Sequence, residues 1–230
     1  MNFLKCFLVF VLLGIATPTC PGQTWDALTG FGTSNPNGVW SYGWGVTGTS
    51  FTLYTTDNND CGDYGGVQGL VCWSAELYEN TPLVAFNTTG SYLNWWTVVD
   101  PPDVLILHPA PDWDPGDSIV QWTAPADGTY RISGFFEILD TNPTGITGLV
   151  YRNSTLLYSG TLTGPPAQHP DHAGGREDFY FPQLSLNAGD VISFSVNSDG
   201  TFYYDSTGFN AVIVTPPNAP PCAVCAQSGG

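Results

Sequence analysis

From Ser118 to Val214 the chain breaks into short runs of β-branched and aromatic residues, each bounded by Gly, Asn, Asp or Pro. Several runs alternate apolar with polar residues, the two-residue period of a strand with one buried face. Strands are predicted at 118–123, 129–138, 145–151, 155–161, 178–185, 190–197, 200–204 and 207–214. "NAGD" at 187–190 and "NSDGT" at 197–201 read as turns, where glycine supplies a backbone angle that other residues resist. No segment holds a helical period. Regular strand spacing with turn signals implies an all-β sandwich or barrel.

The N-terminal half carries shorter aromatic runs. "NPNGVWSYGWGV", "TSFTLYTT", "VCWSAELY", "LVAFNTT" and "SYLNWWTVV" read as further strands, with less regular alternation. "DNNDCGDYGG" reads as a polar loop. "DPPDVLILHPAPDWDPGDS" is interrupted by proline and reads as loop around one apolar segment at 104–107.

The termini differ from this middle. Residues 1–22 combine Lys5, an apolar run from Cys6 to Ile15, and small or turn-forming residues. That is the pattern of a secretory signal peptide, with cleavage after Gly22 or, alternatively, just before Cys20. The expected organisation is a signal peptide at 1–22, a β-sandwich domain at 23–215, and a Pro-rich, cysteine-containing tail at 216–230. Cleavage after Gly22 leaves Cys61, Cys72, Cys222 and Cys225. In an oxidising compartment this even set implies two bridges, with three connectivities open. Pairing of Cys61 with Cys72 would pin a Gly-rich loop. Cys222 and Cys225 form a CxxC, but no βαβ pattern surrounds it, so the cysteines read as staples rather than a redox pair.

Charge narrows the partners. Lys5 is the only lysine and lies in the leader, so Arg131, Arg152 and Arg176 face 20 acidic residues, a net charge of −17. Nucleic acid and anionic membrane need Lys/Arg clusters and are excluded. A secreted, extracellular setting suits such a surface.

"WTAPADGTYRISGFFEI", "GLVYRNSTLLYSG" and "FPQLSLNAGDVISFSVNSDGTFYYDSTGFNAVIV" follow one another from Trp122 to Val214. Their order resembles the C1q/TNF-like jelly roll. With "NPNGVWSYGW" and "LHP" upstream, they also look like uncharacterised secreted bacterial proteins of the sorting-tail (PEP-CTERM-like) type. The resemblance covers about residues 35–46 and 104–214. It implies an antiparallel, jelly-roll-like β-sandwich with disulfide-stapled loops. No collagen-like stalk precedes the domain, so trimerisation is not implied. No hydrophobic-plus-basic tail follows Cys225, so anchoring by that route is not expected.

Function must come from a site rather than from a fold. Twenty acids offer too many carboxylate pairs to single one out, and Asp112, Asp114 and Asp117 sit where solvated turn residues belong. There is no GxSxG and no phosphate-cradling loop, so an enzyme is not expected. His169 and His172, with His108 distant, read as an exposed Pro/Gly loop rather than zinc ligands. Asp57, Asn59, Asp60 and Asp63 offer oxygen donors for calcium, against the plainer reading of an Asx-rich turn.

Eight Trp, 11 Tyr and 13 Phe remain. Trp40, Trp44, Trp73 and Trp122 are expected in the core. Trp95, Trp96, Trp113, Tyr203 and Tyr204 are the candidates for exposed, ligand-binding rings. Trp95 and Trp96, as strand neighbours, should point to opposite faces. Asn87 and Asn153 begin glycosylation sequons. The expected function is a secreted, non-catalytic carbohydrate- or surface-binding, adhesive module of the extracellular matrix. The alternative is a structural subunit of a coat or filament, in which residues 23–34 or the tail donate a strand to another copy of the chain.

Overall fold

The computed structural model of the chain describes residues 22–59, 61, 67–78, 80–114, 116–168, 172 and 174–215, with backbone alone for 57–59 and 78. Its N-terminal elements are β1 (Thr24–Asp26), a one-turn helix α1 (Ala27–Gly30), β2 (Trp40–Gly45), β3 (Thr52–Leu53), β4 (Thr56–Asn59), β5 (Leu70–Tyr78) and β6 (Thr81–Asn87). A small hairpin of β7 (Leu93–Trp95) and β8 (Val98–Asp100) then leads to β9 (Leu105–His108). The regular half follows as β10 (Asp117–Thr123), β11 (Gly128–Ile138), β12 (Ile146–Arg152), β13 (Thr155–Leu162), β14 (Arg176–Leu186), β15 (Val191–Ser198) and β16 (Thr207–Val214).

Two sheets carry these strands, apart from β7 and β8, which pair with each other. One runs β14-β11-β16-β9-β6-β5-β4, with β1 also paired to β16, and the other β13-β12-β15-β10-β2-β3. From β10 onward the chain crosses between sheets so that β9-β16-β11-β14 faces β10-β15-β12-β13, the strand order of a jelly roll. All pairings in both sheets are antiparallel. The N-terminal half widens both layers: β2 and β3 extend the smaller sheet, and β4, β5 and β6 extend the larger.

Alternation in the sequence becomes the two faces of each sheet. Along β11, Tyr130, Ile132, Phe136 and Ile138 enter the core, while Arg131, Ser133 and Phe135 point the other way. The inward residues meet Trp122 of β10, Phe179 of β14, Phe194 of β15 and Phe209 of β16. Each such large apolar side chain contributes about 1.5–3 kcal/mol on burial. Trp25 of β1 stacks edgewise on Trp122, with ring centroids 5.4 Å apart. Trp40 and Trp73 are buried as expected, and Trp44 is half-buried against the same cluster.

Several sequence expectations are corrected. Residues 200–204 form a loop, not a strand: Phe202 is buried there, and its apolar neighbours imitate an alternating pattern. The 104–107 segment is not an island within a loop but strand β9, a central member of the larger sheet between β16 and β6. "SYLNWWTVV" is a hairpin, and Trp96 lies in its turn with φ of 48°, so it is not a strand neighbour of Trp95. A helix absent from the sequence reading forms at 27–30, where the Asp26 carboxylate caps it by accepting from Thr29 N at 3.1 Å.

Of the residues offered for strand donation, the tail 216–230 lies outside the described residues, and part of 23–34 is paired within the chain. Thr24, Trp25 and Asp26 pair with Val214, Ile213 and Val212 of β16. Asp57 and Asn59 belong to strand β4, opposite Trp73 and Val71, instead of a loop. Asp60, Asp63, His169, Cys222 and Cys225 lie outside the described residues, as does the leader 1–21. Cys61 and Cys72 are joined by a disulfide with Cα atoms 5.5 Å apart, which is the pairing that pins the Gly-rich segment. Asn87 is fully buried, and its side-chain nitrogen donates to Ser91 O and Asp100 O, both at 2.7 Å. That atom has no room for a glycan in this fold. Among the described residues, no helix is long and apolar enough to cross a membrane.

Candidate functional site

Strands β14, β11 and β16 lie side by side, and their registers decide which side chains share the face turned away from the core. Ser133 stands between Tyr180 and Val212, Phe135 between Asp178 and Asn210, and Glu137 between Arg176 and Gly208. The alternate positions, Ile132, Phe136 and Phe179, are spent on the core. The outer face therefore presents three short rows, apolar and aromatic groups mixed with one cation, two acids and an amide.

A groove of about 320 Å³ crosses this face, lined by Ser133, Phe135, Arg176, Asp178, Tyr180 and Asn210. Tyr180 is 60% exposed, so its ring offers a flat apolar surface and a phenol to whatever lies in the groove. The Arg176 guanidinium carbon sits 3.6 Å from the centre of the Phe135 ring. Asp178 anchors it from the side, with Arg176 Nε donating to Asp178 Oδ1 at 2.9 Å. Gly134 faces the core beneath the groove, where an added Cβ would lie 2.3 Å from Phe179 Cζ and 2.4 Å from Asn210 O.

One end of the field is closed. Glu137 is 0% exposed, and His172 covers it with Nδ1 2.8 Å from Glu137 Oε2. The other ring nitrogen of His172 lies 3.2 Å from Asp103 Oδ2. Burial raises the Glu137 carboxyl above its ordinary range, opposed by His172 and by Arg176. Gly208 makes room for this arrangement: a Cβ there would fall 2.7 Å from Glu137 Cγ.

The aromatic residues singled out in the sequence fall elsewhere. Trp96 is 90% exposed at its hairpin tip. Trp95 is half-buried, and its indole donates to Asp100 Oδ2. Trp113, 62% exposed, meets Phe202 edge-on at 5.5 Å, and Phe202 lies 4.3 Å from Tyr203. The structure thus joins Trp113 and Tyr203 through a buried ring between them, at the loop end of the sandwich. Tyr204 is exposed on the same loop.

Histidines and carboxylates behave differently from the sequence reading. His108 is buried, its Nδ1 3.0 Å from Pro109 O, and burial lowers its pKa to about 4. Asp112 accepts from Phe202 N at 2.8 Å and so ties the two aromatic loops together. Asp117 is buried and accepts from Thr47 and Asn197. Asp100, Asp140 and Asp205 are buried near one another's fields at this end. Burial pushes Asp100 to about 7 and Asp205 to about 8, with Asp140 adding to both by like charge. Among the described residues, no three His, Cys, Asp or Glu side chains group as a metal site.

The groove residues carry no motif, which is why sequence reasoning passed over Phe135, Arg176, Asp178, Tyr180 and Asn210. A signal was present in "REDFYF", where the positions alternating with the core phenylalanines hold Arg176, Asp178 and Tyr180.

No family model and no curated protein matches the chain. Solved structures do. Rabbit GITRL is 19% identical over 44% of this chain and 72% of its own, with a TM-score of 0.27. The K3 cleaved adhesin domain of Lys-gingipain from Porphyromonas gingivalis is 14% identical over 50% of this chain and 75% of its own, with a TM-score of 0.33. A family 35 carbohydrate binding module from an environmental isolate is 13% identical over 57% and 77%, with a TM-score of 0.28. The sandwich assignment rests on the strand order and not on these superpositions.

Proposed function

We propose that this chain is a secreted, non-catalytic binding module that holds a neutral glycan across the exposed face of β14, β11 and β16. The observation that carries the reading is the groove in which an exposed Tyr180 ring stands beside the Arg176–Asp178 pair and Asn210. A pyranose has an apolar face ringed by hydroxyl groups. Tyr180 supplies a surface for the face, while Asp178 accepts, and Arg176 and Asn210 donate, at the rim. A site open along one side of a sheet suits a polymer better than a small molecule needing enclosure. Three arginines against 20 acids make an anionic polysaccharide a poor partner, because the surrounding field repels it.

The test is retention of the purified chain on a panel of insoluble and immobilised neutral polysaccharides, with Tyr180→Ala and Arg176→Ala alongside. Retention of the parent on one glycan, lost in Tyr180→Ala and weakened in Arg176→Ala, supports the proposal. Absence of retention on every glycan at high protein concentration refutes it.

A further inference from the structure

At the loop end of the sandwich, one hydroxyl is surrounded by more acceptors than it has hydrogens. Thr144 Oγ1 lies 3.1 Å from Thr201 O, 2.9 Å from Tyr203 O and 2.8 Å from Asp205 Oδ1. With Asp205 ionised, the single hydrogen of the hydroxyl serves one of them, so two of these oxygens face a fourth oxygen with no proton between them. Alternate carbonyls of the β15–β16 loop, followed by a carboxylate two residues on, converge on this point. Such crowding costs energy unless something positive is shared among the oxygens.

A second observation is independent of that geometry. Asp205 is 1% exposed, and its other oxygen, Oδ2, has no hydrogen-bond partner. A buried carboxylate oxygen left without a donor is expensive. The charges acting on it from Asp112, Asp140 and Asp199 are all negative.

We propose that the β15–β16 loop binds a calcium ion, held by the carbonyl oxygens of Thr201 and Tyr203, the Thr144 hydroxyl and the Asp205 carboxylate. The donors are all oxygen, as a hard cation requires. Carbonyls from a flexible loop, with one direct carboxylate, suit the irregular shell of calcium better than the strict octahedron of magnesium. The ion orders the turn that carries Phe202 and Tyr203, and through them Trp113. The exposed aromatic rim is therefore a feature of the loaded loop. This site shares no residue with the Asp57, Asn59, Asp60 and Asp63 run.

Terbium tests the assignment, because Trp113 and Tyr203 lie close enough to sensitise its emission. The chain is stripped with chelator, titrated with Tb³⁺ under excitation of the aromatic rings, and then titrated with Ca²⁺. Sensitised emission displaced by Ca²⁺ is expected, weakened at least about tenfold in Asp205→Asn and in Thr144→Val, as removal of ligand charge or a donor demands. A variant with Asp57, Asp60 and Asp63 all changed to Asn should keep the signal. Should Asp205→Asn fail to fold, Thr144→Val and a Ca²⁺-dependent rise in the melting temperature of the parent chain provide the reading. No emission together with no Ca²⁺ effect on melting overturns the proposal. So does emission lost in the triple Asn variant but retained in Asp205→Asn and Thr144→Val, which would place the ion in the other loop.

Discussion

Arg176 lies over Phe135 with its guanidinium carbon 3.6 Å from the ring centre, and the two belong to neighbouring strands of one sheet face. Asp178, directly opposite Phe135, holds the guanidinium in that position. The pair is worth only about 0.5–1 kcal/mol to the fold at a solvent-accessible site. Its larger value is to fix a donor at the edge of the groove.

Arg176→Ala should therefore change the melting temperature by no more than a few degrees, as follows from that small energy. The same variant should weaken glycan retention by about tenfold, the loss expected for a charge-assisted hydrogen bond. Arg176→Lys should bind little better than Arg176→Ala, because an ammonium cannot reproduce the planar stacking and fork. Affinity electrophoresis in gels containing the retained glycan measures both variants against the parent.

Gly134 should not tolerate even one carbon. A Cβ there falls 2.3 Å from Phe179 Cζ and 2.4 Å from the Asn210 carbonyl, and the carbonyl belongs to a paired strand that cannot step aside. Gly134→Ala is expected to destabilise the chain by about 1–3 kcal/mol through overpacking. Urea unfolding with unchanged slope and a lower midpoint is the expected record.

His172→Ala leaves Glu137 buried without its covering partner. The cost should be about 1.5–3 kcal/mol when the carboxylate is ionised, the worth of a hydrogen bond to a charged group. Glu137 already has a raised pKa from burial, and loss of His172 raises it further. The penalty should therefore be larger at high pH than at low pH, where the carboxyl is neutral. Unfolding midpoints of parent and variant, compared at two pH values, measure it.

Asp100 links stability to pH in a stated direction. Burial raises its pKa from 3.8 to about 7, despite the Trp95 indole donating to it, and Asp140 contributes like-charge repulsion. A group raised on folding contributes stability that is complete below its unfolded pKa and is lost as pH rises through its folded pKa. From pH values near 4 to values above 7, the melting temperature should fall by on the order of 5 °C from this group. Asp100→Asn should flatten that slope while keeping the Trp95 contact. Calorimetric scans across the pH series give the comparison.

Much of the fold is legible in the sequence because its cause is local. β10, β12, β13, β15 and β16 begin and end within one or two residues of the predicted strands, since alternation and turn residues act over short distances. Phe202 shows the limit: its alternating neighbourhood predicts a strand, yet the ring is buried by contact with His108 of β9 and Trp113 of the following loop, both distant in sequence. The candidate site was hidden for the same reason. Nothing near Phe135 says that Asp178 and Asn210 will flank it, because register between distant strands is settled by the packed sheet. Exposure of Trp113 was readable from its polar loop, whereas the choice between Trp95 and Trp96, and the buried ring connecting Trp113 to Tyr203, were not.

The most direct measurement is a backbone-amide NMR titration of the chain with an oligosaccharide of the glycan it retains. Shift changes concentrated at Ser133, Phe135, Asp178, Tyr180 and Asn210, and abolished in Tyr180→Ala, are the expected result. Changes confined to Trp113, Tyr203 and their loops, or none at saturating oligosaccharide, would contradict the assignment of the groove on β14, β11 and β16 as the binding site.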